Sequence, residues 1–478
     1  MSTSASLPYD KVLVDIADYV CGGQVFGATA LDIARHSLMD SLGCAVEALH
    51  YPECRRLLGP AIGGTEVPQG SRVPGTSYRL EPATAAFNIS ALTRWTDYND
   101  TWVAAQTTHP SDDMGPMLAV ADHLSQVRRV RGEAPLTMRA VLEGMIMAHE
   151  IQGVLGMGTS ISRHGIDHVL YVRVAVAPVI ARMLGGSRDA VLAATSLAFF
   201  DSSLCVHRFG TNTGPRKGWA AADATAQAVR FASMAVRGET GYPQVLTHEK
   251  WGFNRWMLGG EALVAGGPYG SMVMENIFFK ILGPVVIHAQ SQIEVARALH
   301  EKVRGRWNDI ERIDIETHVR TMETIDKKGP LRNAADRDHC LQYAVAIMLL
   351  NGELKPSHYE DETAANPEID RLRGLMHVRE NPEFTRRFLD PAERANPAAI
   401  EIRFRDGSTT GRVEVIFPVG QVQRRADGLP LLVKKFAKHL ATVFEARRAQ
   451  QILELCLDHE RLLATPVDEF MELVAMTD

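Results

Sequence analysis

The sequence predicts a mainly α-helical protein: a large all-helical domain, a smaller α+β domain inserted after it, and C-terminal helices. Three observations carry this. Before about residue 275, apolar residues recur at helical spacing; strict alternation appears only after about 276; helical spacing returns after 420. The expected division is 1–275 helical, 276–420 mixed, and 421–478 helices that pack back on the first domain.

Within the first part, "MRAVLEGMIMAHEIQGVL" (138–155) places Val141, Met145, Ala148 and Ile151 on one helical face. "HVLYVRVAVAPVIARMLGG" (168–186) is apolar nearly all round, so it predicts a buried helix, kinked at Pro178 and ended by Gly185-Gly186. "WAAADATAQAVRFASMAV" (219–236) is rich in alanine, the strongest helix former. In the second part, "RIDIETHV" (312–319) alternates Ile313, Ile315, Thr317 and Val319 as a strand does. "AIEIRFRDGSTTGRVEVIFPVG" (399–420) alternates on both sides of Asp406-Gly407, which predicts a hairpin with a short loop. "LPLLVKKFAKHLATVF" and "QQILELCLDHERLL" are helical again.

Composition narrows the function. With 478 residues, 46% hydrophobic and 23% charged, the chain can bury sizeable cores, so dominant disorder is excluded. A net charge of -6 offers no general attraction for nucleic acid. No apolar run reaches the roughly 20 residues of a membrane helix. The start, "MSTSASLPYDKVLVDIADYV", lacks the pattern of a targeting peptide, and the expectation is a cytoplasmic protein. Cys21, Cys44, Cys54, Cys205, Cys340 and Cys456 form no C-x-x-C pair, so they read as reduced core residues rather than cluster ligands.

Several motifs invite chemistry and fail on spacing. "MAHEIQG" starts a zinc-protease helix, but the second histidine would fall on Gly153. "GVLGMGTS" (153–160) lacks the third glycine of a dinucleotide fingerprint and reads as a turn after a helix. "TNTGPRKGWAAADAT" (211–225) delivers Arg216 and Lys217 to a helix start, where cations oppose the helix dipole unless an anion is near. "FFKILGPVVIHAQSQ" brings Lys280 and His288 to a Gly-Pro break and reads locally as a connector. "DKKGPLRNAADRDHC" (326–340) reads as a solvated charge run. "DYNDTWVAAQTTHPSDDMG" (97–115) packs aspartates and hydroxyls around His109; it suits acid–base work and, as a loose pattern, a metal, but its local sequence slightly favours a capped loop.

Together, "RWTDYNDTWVAAQTTHPSDDMG", "RKGWAAADAT", "FFKILGPVVIHAQSQ", "IDKKGPLRNAADRDHCLQYAVAIMLLNG", "SRVPGTSYRLEPATAAFNISAL" and "DGLPLLVKKFAKHL" resemble the MmgE/PrpD family, and more narrowly its 2-methylcitrate-dehydrating members. The likeness runs over nearly the whole chain in one order. It implies a helical domain with an α+β lid, a homodimer, a tricarboxylate substrate, and catalysis without a required metal or organic cofactor. Residue by residue it implies Asp97, Thr101, His109 and Lys217 as catalytic positions. It also implies Lys280 and His288 at the lid entrance for substrate binding, with Arg216 able to assist. The expected reaction is loss of water from 2-methylcitrate, with His109 as the acid or base and Asp97 as its partner. Alternatives are decarboxylation of cis-aconitate, dehydration of another hydroxy-tricarboxylate such as citrate, and a non-catalytic scaffold.

Overall fold

The computed structural model describes residues 7–65, 67–201, 203–209, 214–390 and 392–476. The fold is mainly α, with two small sheets among the described residues. The predicted helices appear as Met138–Gly158, Val169–Met183, with Pro178 inside it, and Ala220–Val236. The first of these runs past the expected turn at Gly153. The glycines there serve packing: a Cβ on Gly153 would lie 2.4 Å from Val273, and one on Gly156 would lie 2.8 Å from the Gln106 carbonyl.

Two apolar clusters organise the chain. The larger joins Leu13 through Ile281 with Val419, Leu432, Phe436, Leu440 and side chains out to Val474, so the C-terminal helices share a core with the N-terminal ones. The helix Arg425–Leu440 packs on Ala28–Ala48. The smaller cluster runs from Val285 to Phe404 and includes Ile293, Ile313, Ile315, Leu341 and Ile400. Each large aliphatic or aromatic side chain so buried contributes about 1.5–3 kcal/mol.

The four-stranded sheet has Ile310–Thr317 between Met376–Glu380, which is parallel to it, and Ala398–Phe404, which is antiparallel; Val413–Val415 completes the edge. Ile315 pairs with Ile400 and Ile313 with Ile402. A register shift between Ile310 and Arg312 turns Ile310 inward as well, although it is an odd number of residues from Ile313. The strand stops at Thr317, and Val319 opens a helix, Val319–Ile325. The hairpin turns at Asp406-Gly407 and pairs at once through Arg403 and Thr409, but its return strand is only three residues long, because Gly411 adopts φ +70° and interrupts the pairing before Val413.

Candidate active site

Asp97 stands one residue beyond the cap of Pro82–Trp95, in a left-handed backbone form with φ +50°. The chain then runs through Thr101, whose backbone exchanges two hydrogen bonds with Phe278, at 2.9 and 3.1 Å. It folds back on itself through paired bonds between Trp102 and Thr108. His109 follows, kept extended by Pro110, and the helix Met114–Val130 begins shortly after. Away from its tip at residues 103–105 this loop is largely buried: Asp97, Asp100, Thr101, Thr108, Ser111, Asp112 and Asp113 all lie inside.

Around Asp97 four separate chain segments meet. Its Oδ1 accepts from Arg94 and, at 2.7 Å, from Lys280 Nζ; Lys280 also donates to the Asp97 carbonyl at 2.8 Å. Its Oδ2 lies 3.4 Å from Lys217 Nζ, and His109 Nε2 lies 4.0 Å from Oδ1. Lys217, in the short turn Pro215–Gly218 before Ala220–Val236, donates to Asp338 Oδ2 at 2.6 Å and sits 3.1 Å from His339 Nδ1. Asp97, His109, Lys217 and Lys280 are thus one cluster, drawn from positions up to 183 residues apart. Residues 211–213 of the loop leading into Lys217 lie outside the described residues.

Charge follows from neighbours. Burial alone would raise the Asp97 carboxyl, but Arg94, Lys280 and Lys217 outweigh it and hold Asp97 well below the usual carboxylate range. Burial, then the Arg94 and Lys280 cations, push the His109 imidazole well below its ordinary value. His109 Nδ1 is 2.9 Å from the Asp100 carbonyl, which can only accept, so Nδ1 carries the hydrogen and Nε2 keeps a free lone pair. Thr101 Oγ1 lies 3.2 Å from the same Nδ1. The ring is therefore oriented from its Nδ1 side by the Asp100 carbonyl, whereas Asp97 faces its Nε2. Lys280, fully enclosed, falls to about 8 because burial outweighs the pull of Asp97.

Two of the anticipated residues stand apart. Arg216 pairs with Asp223 at 3.1 Å and lies over the Trp219 ring, half exposed. His288 lines a different cavity, of about 270 Å³, with Thr101, Phe278 and Phe388; its ring meets those of His318 and Phe388. Lys217, Arg94 and Asp338 line a cavity of about 280 Å³ with Trp95, Tyr359 and Pro215.

Four residues of the cluster went unassigned in the sequence. Arg94 is the first neighbour of Asp97, three residues ahead and inside the quoted motif. Asp338 and His339 belong to the stretch expected to be solvated, yet Asp338 receives the Lys217 bond. His168 presents its ring edge to His109, with centroids 5.5 Å apart. Its Nδ1 is 2.8 Å from Asp167, itself held by Arg208 at 2.7 Å, and burial brings its imidazole down to about 4.

Among the described residues one group has metal-ligand character: Asp97, Asp338 and His339, with ligand atoms within 4.8 Å of one another. Lys217 Nζ already touches all three, so a divalent ion would compete with an ammonium for the same atoms.

The models of the MmgE/PrpD N-terminal and C-terminal domains match residues 14–265 and 284–459. The chain belongs to the MmgE/PrpD family. Among its family relatives, the 2-methylcitrate dehydratase of Salmonella typhi is 50% identical over 469 residues, covering 97% of each chain. That of Escherichia coli strain K12 is 49% identical with the same coverage. A mitochondrial 2-methylcitrate dehydratase of Yarrowia lipolytica is 43% identical, over 100% of this chain and 92% of its own. Among the described residues of this family member, no helix is long and apolar enough to cross a membrane.

Proposed function

We propose that the chain is a hydro-lyase that removes water from 2-methylcitrate to give 2-methyl-cis-aconitate. The observation that carries this reading is the convergence of a free His109 Nε2 with the cations Lys217, Lys280 and Arg94 around Asp97. Near-full-length likeness to 2-methylcitrate dehydratases supports the substrate.

The C–H to be broken lies beside a carboxylate and is weakly acidic. His109 Nε2 takes that proton, and its electron pair becomes the new C=C as the C–O bond breaks. The depressed imidazole keeps the base unprotonated at neutral pH. Charge building on the adjacent carboxylate is met by Lys217 and Arg94, fixed cations shielded from water. The hydroxyl needs a proton as it leaves. Asp97, held ionised, has none to give. Lys280, brought to about 8, is a stronger acid than an ordinary lysine and supplies it, so water departs. Thr101, beside His109, holds the ring and a substrate oxygen. His288 and Arg216 are left for substrate entry, since neither reaches the cluster.

In this reading the helical part carries the site, and residues 276–420 form the lid that supplies Asp338 and His339, with Lys280 at its entrance between residues that pack on the helical core. A cytoplasmic homodimer without a required metal or organic cofactor completes the proposal. The exposed aromatic pairs Phe200–Tyr242 and Trp251–Trp256 support a second copy as partner, and the six unpaired cysteines support the compartment.

The test uses chelator-treated protein with 2-methylcitrate, citrate and cis-aconitate separately. Ultraviolet absorbance from a conjugated C=C on 2-methylcitrate is expected. Release of CO2 from cis-aconitate without that absorbance would replace dehydration by decarboxylation.

A further inference from the structure

We propose that Lys435 is a positioning residue for this site: it fastens the Asp97–Tyr98 turn to the Lys280 segment from beneath. The proposal rests on the active-site reading above. Lys435 lies on Arg425–Leu440, within the "DGLPLLVKKFAKHL" stretch that no part of the chemistry has used. Its ammonium has three protons and three acceptors: Asp40 Oδ1 at 2.8 Å, the Tyr98 carbonyl at 2.8 Å, and the Lys280 carbonyl at 2.9 Å. Nζ also sits 3.4 Å from the centre of the Tyr98 ring.

Those acceptors are not arbitrary. Tyr98 follows Asp97 directly, and Lys280 is the residue whose side chain holds Asp97. Tyr98 Oη donates to the Ile281 carbonyl at 2.8 Å, and Lys280 Nζ to the Asp97 carbonyl at 2.8 Å. Two successive carbonyls in each of two segments, those of residues 97 and 98 and of 280 and 281, are thus each taken by a side-chain donor. Asp97 needs such holding, because a non-glycine residue at φ +50° is strained unless its surroundings fix it. A lysine serving only to neutralise Asp40 would require neither carbonyl. Because Asp40 balances its charge, Lys435 acts on the site through geometry.

The experiment compares Lys435→Met combined with Asp40→Asn, which leaves no unpaired buried charge, with Arg72→Met combined with Asp122→Asn. The second double variant removes a buried pair of 2.7 Å remote from the site. For the first, kcat is expected to fall about 10–100-fold, the cost of a displacement near 1 Å, with KM within about threefold. In the unliganded first variant, the His109 imidazole is followed by NMR. It faces Arg94, Asp97, Lys280 and His168, and its titration is expected to rise toward the ordinary range as the cluster loosens. The control should change neither quantity. A folded first variant with kcat within twofold and an unmoved His109 titration overturns the proposal, as does an equal loss in the control. If the first variant does not fold, Lys435→Arg, which keeps the charge beside Asp40 but cannot place one ammonium on all three acceptors, decides: unchanged kcat and unmoved His109 titration overturn it. Should the wild-type protein fail to dehydrate 2-methylcitrate, the dehydratase reading falls alone, since the His109 titration still judges Lys435.

Discussion

His109, in the loop 97–113 and slightly exposed, and His149, packed fully enclosed against that loop, are driven to opposite charge. His149 lies with Nδ1 2.8 Å from Asp113 and Nε2 3.3 Å from Asp100, and these carboxylates overcome burial to lift it to about 10. His109 has Arg94 and Lys280 near it, and burial and those cations act together to depress it. Asp100 serves both: its carboxylate braces His149 while its carbonyl takes the His109 hydrogen. One histidine is a fixed cation under the loop and the other a free base above it. Burial alone does not decide the state of a buried imidazole; the sign of the adjacent charges does.

The sharpest way to break this contrast is to remove each ring. His109→Ala should lower kcat by about 10²–10⁴, the usual span of a general acid–base group, while the urea midpoint stays close to wild type. Folded His109→Ala protein with full turnover would refute its role as base. His149→Leu should act first on stability, by about 3–5 kcal/mol, since Asp100 and Asp113 would face each other without their cation. Equilibrium urea unfolding checks this, and a loss under about 1 kcal/mol would mean that the pair is not ionised as described.

pH sharpens the comparison further. His149 is raised in the folded protein, so its contribution is fully present below the unfolded value of about 6.5 and is lost as pH rises through about 10. His109 is lowered, so the folded form resists its proton, and stability should fall as pH drops below about 6.5. Unfolding midpoints of wild type minus each variant, followed from pH 5 to 10, should slope in opposite directions. Turnover has its own limb. If Lys280 must carry a proton, kcat/KM should decline near pH 8, and Lys280→Arg should move that limb upward whatever its cost in rate. An unmoved limb would remove Lys280 from the acid role.

The helices and the strand core were legible because their periodicity is local: Val141, Met145, Ala148 and Ile151 state a helical face without help from the rest of the chain. What was not legible is contact between distant segments. Gly153 and Gly156 look like a loop signal until Val273 and Gln106 are found against them. Asp338 and His339 look solvated in a charged run, and only the fold brings Lys217 to them across 121 and 122 residues. Within the cluster, the resemblance pointed to Asp97, His109, Lys217 and Lys280 but not to Arg94, Asp338, His339 or His168, and the charge states follow from their neighbours. No local pattern tells that Asp97 is ionised, that Lys280 is easily deprotonated, or that Asp100 orients His109 through its backbone.

Arg216 gives the smallest and most discriminating test, because it neighbours Lys217 in sequence and differs from it in setting. Lys217 turns inward to Asp338 and Asp97; Arg216 turns out to Asp223 and stacks on Trp219. A pair as exposed as Arg216–Asp223 is worth at most about 1 kcal/mol, since water and salt screen it. Arg216→Ala should therefore leave kcat within about twofold and cost under about 1 kcal/mol in unfolding. A rise in KM without a change in kcat would show the guanidinium meeting an incoming carboxylate before the cluster does, consistent with a place on the entry route. A fall in kcat of about 10²-fold, the size reserved for a donor aimed at developing charge, would mean that Arg216 swings inward when substrate binds and that the division between the two neighbours does not hold during turnover.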